Sequence, residues 1–409
     1  METLNAIHRV DGGRLRGMKC DQVKVDRVRE AMLREGFVAL VLRLPENVTY
    51  LSDAWCGRGL TYLIFPLEKD PVLIHPVGEP LPPTWVRDVR FYKWETFEHM
   101  GSSLELGIEH VQKILAEMGI RSGAIGVEQN WELIVTGTLR YEMNVVGERT
   151  LNVLRQTLPS FTLKDSSRML MQARSLKTDV EVEALRKVNR IAEVGLATFH
   201  DSLTPGLSEV ELATKIEGQI VTEGVLKHRA NRVTACAFLA SGRDTAYAYK
   251  YVPGNVRRKL RRGDLVMLEL DVVADGYASD TTRTFVVGKP NKRQRALLEA
   301  VVESEATAIS AIKPGVSAAE IARISIDVIR RHGLSHYLVH RLGHGIGVGV
   351  HEPIPALHIE SKDVLLPGMV HSVEPGIYGL RIGGVRIEDD VLDTEKHAEY
   401  LSNYMSMQE

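Results

Sequence analysis

Acidic side chains are concentrated between Gly263 and Phe285 in a stretch that reads as two strands around a turn at Asp275-Gly276. Glu269 and Asp271 alternate there with apolar residues, so both project from one face of the first strand, and Asp280 returns opposite them on the second. Alone, such a pattern also fits an edge hairpin with solvated acids. A second segment, His340-Arg341-Leu342-Gly343-His344-Gly345-Ile346-Gly347-Val348-Gly349-Val350-His351-Glu352, sets three histidines in one glycine-rich loop and strand. It lacks the Gly-Lys-Ser/Thr ending and the strand–loop–helix setting of a phosphate-cradling loop. Two more stretches, Ser372-Val373-Glu374-Pro375-Gly376-Ile377-Tyr378 and Gly383-Gly384-Val385-Arg386-Ile387-Glu388-Asp389, each place a glutamate after apolar strand residues. A carboxylate pointing inward from such a position needs a cation. Several carboxylates with an imidazole suit two hard-to-borderline divalent ions. Water bridging two such ions, roughly 3.5–4 Å apart, becomes a nucleophilic hydroxide near neutral pH.

The elements that must position these residues are legible from periodicity. Lys177 to Glu181 opens a long helix, with Thr178 and Glu181 forming a capping box and Val182, Leu185, Val188, Ile191 and Ala192 at helical spacing. A repeat follows: Pro205-Gly206-Leu207-Ser208 with Glu211 recurs as Pro314-Gly315-Val316-Ser317 with Glu320, each copy a turn, a cap and a helix start. This favours two αβ halves related by pseudo-symmetry, with ligands converging between them. Upstream, helical spacing over Lys24–Glu35 and Leu104–Met118 alternates with apolar runs at Phe37–Leu42, Tyr62–Pro66, Pro71–His75 and Ala124–Glu128. Helices interleaved with strands argue an α/β domain, and the change of pattern puts the boundary at about residue 175.

Composition narrows the function classes. The 409 residues are 44% hydrophobic and 25% charged with a net charge of -2, which gives no electrostatic reason to expect nucleic acid or an acidic membrane surface. The basic cluster Arg257-Arg258-Lys259 with Arg261-Arg262 reads as a solvated turn. Cys20, Cys56 and Cys236 make neither a disulfide framework nor a zinc-spaced cluster. A polar N-terminus and the lack of any run near the roughly 18 apolar residues of a membrane span lead us to expect a soluble, cytoplasmic protein.

With those motifs in order and at nearly the right spacing, the chain resembles the pita-bread metalloenzymes: Xaa-Pro dipeptidase (prolidase), aminopeptidase P, methionine aminopeptidase and creatinase. The resemblance covers about residues 176–395 and implies an α+β chain. A pita-bread metallohydrolase domain at 176–409 would follow a creatinase-like α/β domain at 1–175. It further implies metal-ligand roles for Asp280, His344, Glu374 and Glu388, catalytic roles for His351, His340 and Glu374, and a substrate pocket at His340. Arg386 would hold the site's carboxylates. Two departures stand out. Glu269 occupies the first ligand position in place of an aspartate, with Asp271 where a small residue is usual, so either one supplies that ligand. The histidine that peptidases of the family carry before this strand is missing from Ala246-Tyr247-Ala248-Tyr249-Lys250-Tyr251, where Tyr249 and Lys250 either shape the substrate pocket or pack.

The resemblance implies two divalent ions, with Mn²⁺ best suited to a carboxylate-rich set and Co²⁺, Zn²⁺ or Fe²⁺ also able to bind. The leading expectation is a peptidase cleaving short Xaa-Pro peptides. The alternatives are a pita-bread enzyme acting on a small non-peptide substrate (a creatinase- or ectoine-hydrolase-like C–N hydrolase, or a dimethylsulfoniopropionate-type lyase) and a non-catalytic binding protein. Relatives of this build dimerise, which assigns Asp53-Ala54-Trp55-Cys56-Gly57-Arg58 to a segment reaching a partner's site in a homodimer.

Overall fold

The structure is a computed structural model, and it describes residues 18–56, 60–93, 97, 101–129, 147–248, 257–402 and 404. The described residues up to Arg174 form one compact unit and those from Ser175 onward a second. Tyr249, Lys250 and Arg58 lie outside the described residues. Among the described residues no helix is long and apolar enough to cross a membrane.

In the first unit the strands are β1 (Phe37–Leu42), β2 (Tyr62–Pro66), β3 (Val72–Pro76), β4 (Asp88–Tyr92), β5 (Gly123–Val127) and β6 (Phe161–Asp165). Helices α1 (Gln22–Glu35), α2 (Pro45–Ser52), α3 (Ser103–Glu117), α4 (Glu148–Thr157) and α5 (Ser167–Ser175) are interleaved with them. The sheet order is β4-β3-β2-β1-β5-β6, antiparallel across β1, β2 and β3 and parallel at both flanks. Helix α1 begins at Asp21, whose carboxylate caps Lys24 N, and stops at Gly36, which takes the left-handed φ of 73°. The apolar stripe of α3 (Ile108, Val111, Leu115) packs on Ile64, Ile74 and Ile125.

The second unit begins with α6 (Asp179–Asp201), whose N-terminus carries the Thr178–Glu181 capping box, and α7 (Glu209–Leu226), capped by Ser208 and Glu211. They pack on the antiparallel sheet of β7 (Val233–Ser241), β8 (Leu265–Ala274) and β9 (Tyr277–Val286). Next come α8 (Lys292–Ala311), α9 (Ala318–Arg331), and the strands β10 (Gly343–Gly345), β11 (Glu352–Leu357), β12 (Val370–Val373), β13 (Gly376–Gly379), β14 (Gly383–Arg386), β15 (Asp389–Asp393) and β16 (Ala398–Tyr400). One sheet runs β11-β10-β12-β15-β16, and β13 pairs with β14.

The sequence repeat corresponds to a repeat of hydrogen bonding. Gly206 N and Gly315 N donate to Leu260 O and Leu365 O, and Glu209 N and Ala318 N donate to Arg258 O and Asp363 O. Leu260 N and Leu365 N return to Leu207 O and Val316 O. Each Pro-Gly turn is thus tied to a later strand-like segment in the same way, as two related αβ halves require.

Candidate metal centre

The site is built on the β8–β9 hairpin. Its two-residue turn has Asp275 and Gly276 at φ 51° and 93°, the type I′ geometry whose twist matches the strands it joins. That turn sets the register, pairing Asp271 with Asp280 and Glu269 with Thr282. The two faces of β8 have different neighbours. Leu270 faces α6, where a Cβ added to Gly195 would lie 2.8 Å from its Cδ2. By strand alternation Glu269 and Asp271 point the opposite way, and both are buried.

Glu388 arrives from the chain between β14 and β15, where Glu388 N donates to Thr282 O at 3.0 Å. The Thr282 hydroxyl lies 2.7 Å from Glu388 Oε2 and 3.2 Å from Glu269 Oε2, and its single proton serves one of them at a time. Arg386 is fully buried, pairs with Glu269 and donates from Nε to Thr282 Oγ1 at 2.9 Å. These are charge-assisted contacts to the carboxylate side of the site. Asp390, which sequence reading passed over, accepts from Asp280 N at 3.2 Å and so fixes the backbone that carries Asp280.

The opposite wall comes from β10, β12 and the loop before β11. His344 Nδ1 is 3.1 Å from Gly345 O, which assigns the proton to Nδ1 and leaves a lone pair on Nε2. That Nε2 lies 3.5 Å from Asp280 Oδ2 and 3.5 Å from Glu374 Oε1. His351 Nε2 is 3.7 Å from Asp280 Oδ2, with its ring 4.2 Å from that of His344. The loop between them is tight: a Cβ at Gly347 would lie 2.6 Å from Glu352 Oε1. His340 stands at the rim, its Nδ1 on Arg341 O at 2.7 Å, its Nε2 on the Tyr378 hydroxyl at 2.9 Å, and Glu374 Oε2 3.7 Å away. Tyr378 belongs to the same Glu374–Tyr378 stretch that flagged Glu374, but nothing in its type or spacing pointed to His340.

Burial dominates the electrostatics. It pushes the carboxyls of Asp271, Asp280, Glu374 and Asp390 well above the usual range, helped in each case by neighbouring carboxylates such as Glu388. It lowers His340 to about 4 and also depresses His344 and, more strongly, His351. Asp271 Oδ1, both carboxylate oxygens of Asp280 and Glu388 Oε1 are buried with no hydrogen-bond partner. Glu269, Asp280 and Glu388 bring ligand atoms within 4.8 Å of one another, as do His344, Glu374 and Glu388, and Asp280, His344 and His351. Oxygens left without donors beside neutral imidazole lone pairs fit divalent cations.

A family model for metallopeptidase family M24 matches residues 183–395, the span that contains every one of these side chains. The chain belongs to metallopeptidase family M24. Over 268 residues this M24 peptidase is 35% identical to the Xaa-Pro dipeptidase of Pyrococcus furiosus, a match covering 66% of this chain and 72% of that one. The prolidase from Pyrococcus horikoshii OT3 shares the fold with a TM-score of 0.74 at 28% identity, over 93% of this chain and 98% of that one. The Xaa-Pro dipeptidase from Bacillus anthracis gives 0.75 at 25% identity, over 95% and 99%. The fold is therefore the α+β pita-bread fold, and the enzyme is a peptidase whose family implies divalent metal ions.

Proposed function

We propose that this M24 peptidase cleaves the Xaa-Pro bond of dipeptides or short peptides at a centre of two divalent ions, with Mn²⁺ the best match. The observation that carries the reading is the meeting of the unpartnered oxygens of Asp280 and Glu388 with the lone pair of His344 Nε2 inside a buried site. When bound, the ions supply Lewis acidity and a water of lowered pKa. Asp280, His344, Glu374 and Glu388 hold them, together with Glu269 or Asp271.

The remaining chemistry falls to the chain. Glu374 takes the proton from the attacking water at its carboxylate and passes it to the leaving imino nitrogen. His351 donates a hydrogen bond to the oxygen that gains charge as the carbonyl becomes tetrahedral. His340, oriented by the Tyr378 hydroxyl, lines the substrate pocket. Arg386 keeps the carboxylates in place. The non-peptide alternatives are not favoured, because the relatives named above are dipeptidases and prolidases. We place the enzyme in the cytoplasm as a homodimer.

The test is metal content of purified protein measured beside hydrolysis of Xaa-Pro and Xaa-Ala dipeptides, with and without Mn²⁺. Two ions per chain with Mn²⁺-dependent Xaa-Pro cleavage is the expected result. Two ions with no peptide cleavage would refute the substrate, and a metal-free active enzyme would refute the centre.

A further inference from the structure

Asp271 occupies a position that nothing else in the site explains. It lies on the same face of β8 as Glu269, two residues on, and directly opposite Asp280 in the ladder. On the β7 side its ladder partner is Cys236, a neutral thiol bringing no cation, and along its own strand the same-face neighbours are Glu269 and Val273. Asp271 is only 5% exposed, and its Oδ1 has no hydrogen-bond partner. Glu269 differs in this respect, being engaged by the Arg386 guanidinium and within reach of the Thr282 hydroxyl. A buried carboxylate oxygen with no donor, beside a second carboxylate, is costly unless a cation joins them.

We propose that Asp271 is a metal ligand in its own right, acting with Asp280 across the β8–β9 ladder. Glu269, held by Arg386, remains at the neighbouring position. The inference rests on the metallopeptidase reading and deepens it. The substitution at the first position is thereby shared between two carboxylates one strand-repeat apart: Glu269 pairs with Arg386 while keeping a ligand atom within 4.8 Å of those of Asp280 and Glu388, and Asp271 stands opposite Asp280 in the ladder. An added carboxylate makes the donor set richer in hard oxygen, which favours Mn²⁺ over Zn²⁺.

The experiment titrates Mn²⁺ into metal-free full-length protein, reading free Mn²⁺ by its paramagnetic resonance signal and bound metal by elemental analysis, for wild type, Asp271→Asn and Asp271→Ala. Both variants are expected to bind at least one Mn²⁺ about tenfold or more weaker than wild type. Two variants guard against a folding failure in either one. Unchanged Mn²⁺ stoichiometry and affinity in a folded variant overturns the assignment of Asp271 while leaving the metal centre intact. Wild type that binds no Mn²⁺ refutes the reading on which it rests.

Discussion

Replacing Lys177 by Met should unsettle the active-site loop from a position whose own role is only to hold it. Lys177 Nζ lies 3.7 Å from Glu352 Oε2, with side chains 1% and 3% exposed, and Nζ also donates to Ser175 O at 3.3 Å. Glu352 directly follows His351, and its Oε1 accepts from Gly349 N at 3.3 Å, so the pair ties the helix entry to the loop that aims His351. Removing one partner of a buried ion pair takes away the other's counter-ion, at a cost of about 3–5 kcal/mol. For a unit of this size each kcal/mol moves the melting temperature by about 2–4 °C, so Lys177→Met should lower it by about 6–20 °C. Glu352→Gln should do the same, and the double variant should regain much of the loss because both charges of the pair are gone. Thermal and urea unfolding of the three variants measure this. Peptidase assays should show kcat falling while KM stays nearly constant. A Lys177→Met protein within about 1 kcal/mol of wild type, or single losses that simply add in the double variant, would refute the reasoning.

Metal removal should destabilise the protein strongly. Two ions held at a hundredfold excess over Kd each contribute about 2.7 kcal/mol, so chelation should lower the melting temperature by about 10 °C or more, and a chelator-insensitive melt would contradict the centre. Tyr378→Phe removes the hydroxyl that meets His340 Nε2 at 2.9 Å, a loss of about 0.5–1.5 kcal/mol that should appear in substrate affinity rather than in bound Mn²⁺, measured by kinetics beside elemental analysis. In the first unit, burial raises Glu128 from 4.5 to about 7 although Arg43 N, Leu44 N and Asn47 Nδ2 donate to it. Because the folded pKa is the higher one, the stability this carboxyl contributes is complete below about pH 4.5 and is lost as pH rises through about 7. Urea unfolding of wild type relative to Glu128→Gln should therefore fall by on the order of 3 kcal/mol from pH 4.5 to 8, and a flat difference would show that Glu128 ionises normally.

Much of this molecule is written in local pattern. The alternation Glu269-Leu270-Asp271 placed both acids on one strand face, Asp275-Gly276 specified the hairpin, and the caps at Thr178, Ser208 and Ser317 located helix starts, because each depends on residues within a few positions of one another. The missed elements have weak local signals. Strand β4 lies at a sheet edge and is only partly buried, so Asp88-Val89-Arg90 carries no apolar run, and α2 begins Pro45-Glu46-Asn47 without a side-chain cap.

At the site, residue types and order were enough to name the carboxylates and histidines, since an acid between apolar strand residues is costly without a cation. Which of them meet was decided by packing. The pairing of Arg386 with Glu269, the contact of Tyr378 with His340, the support of Asp280 by Asp390 and the tie from Lys177 to Glu352 join residues that are distant along the chain. Such contacts arise only in the folded chain, because a strand's alternation states which face a side chain takes and says nothing of what waits on that face. The sequence by itself determined the donor chemistry of this peptidase, and the tertiary structure decided the partners. Only those partners separate the clasped Glu269 from Asp271, whose Oδ1 has none.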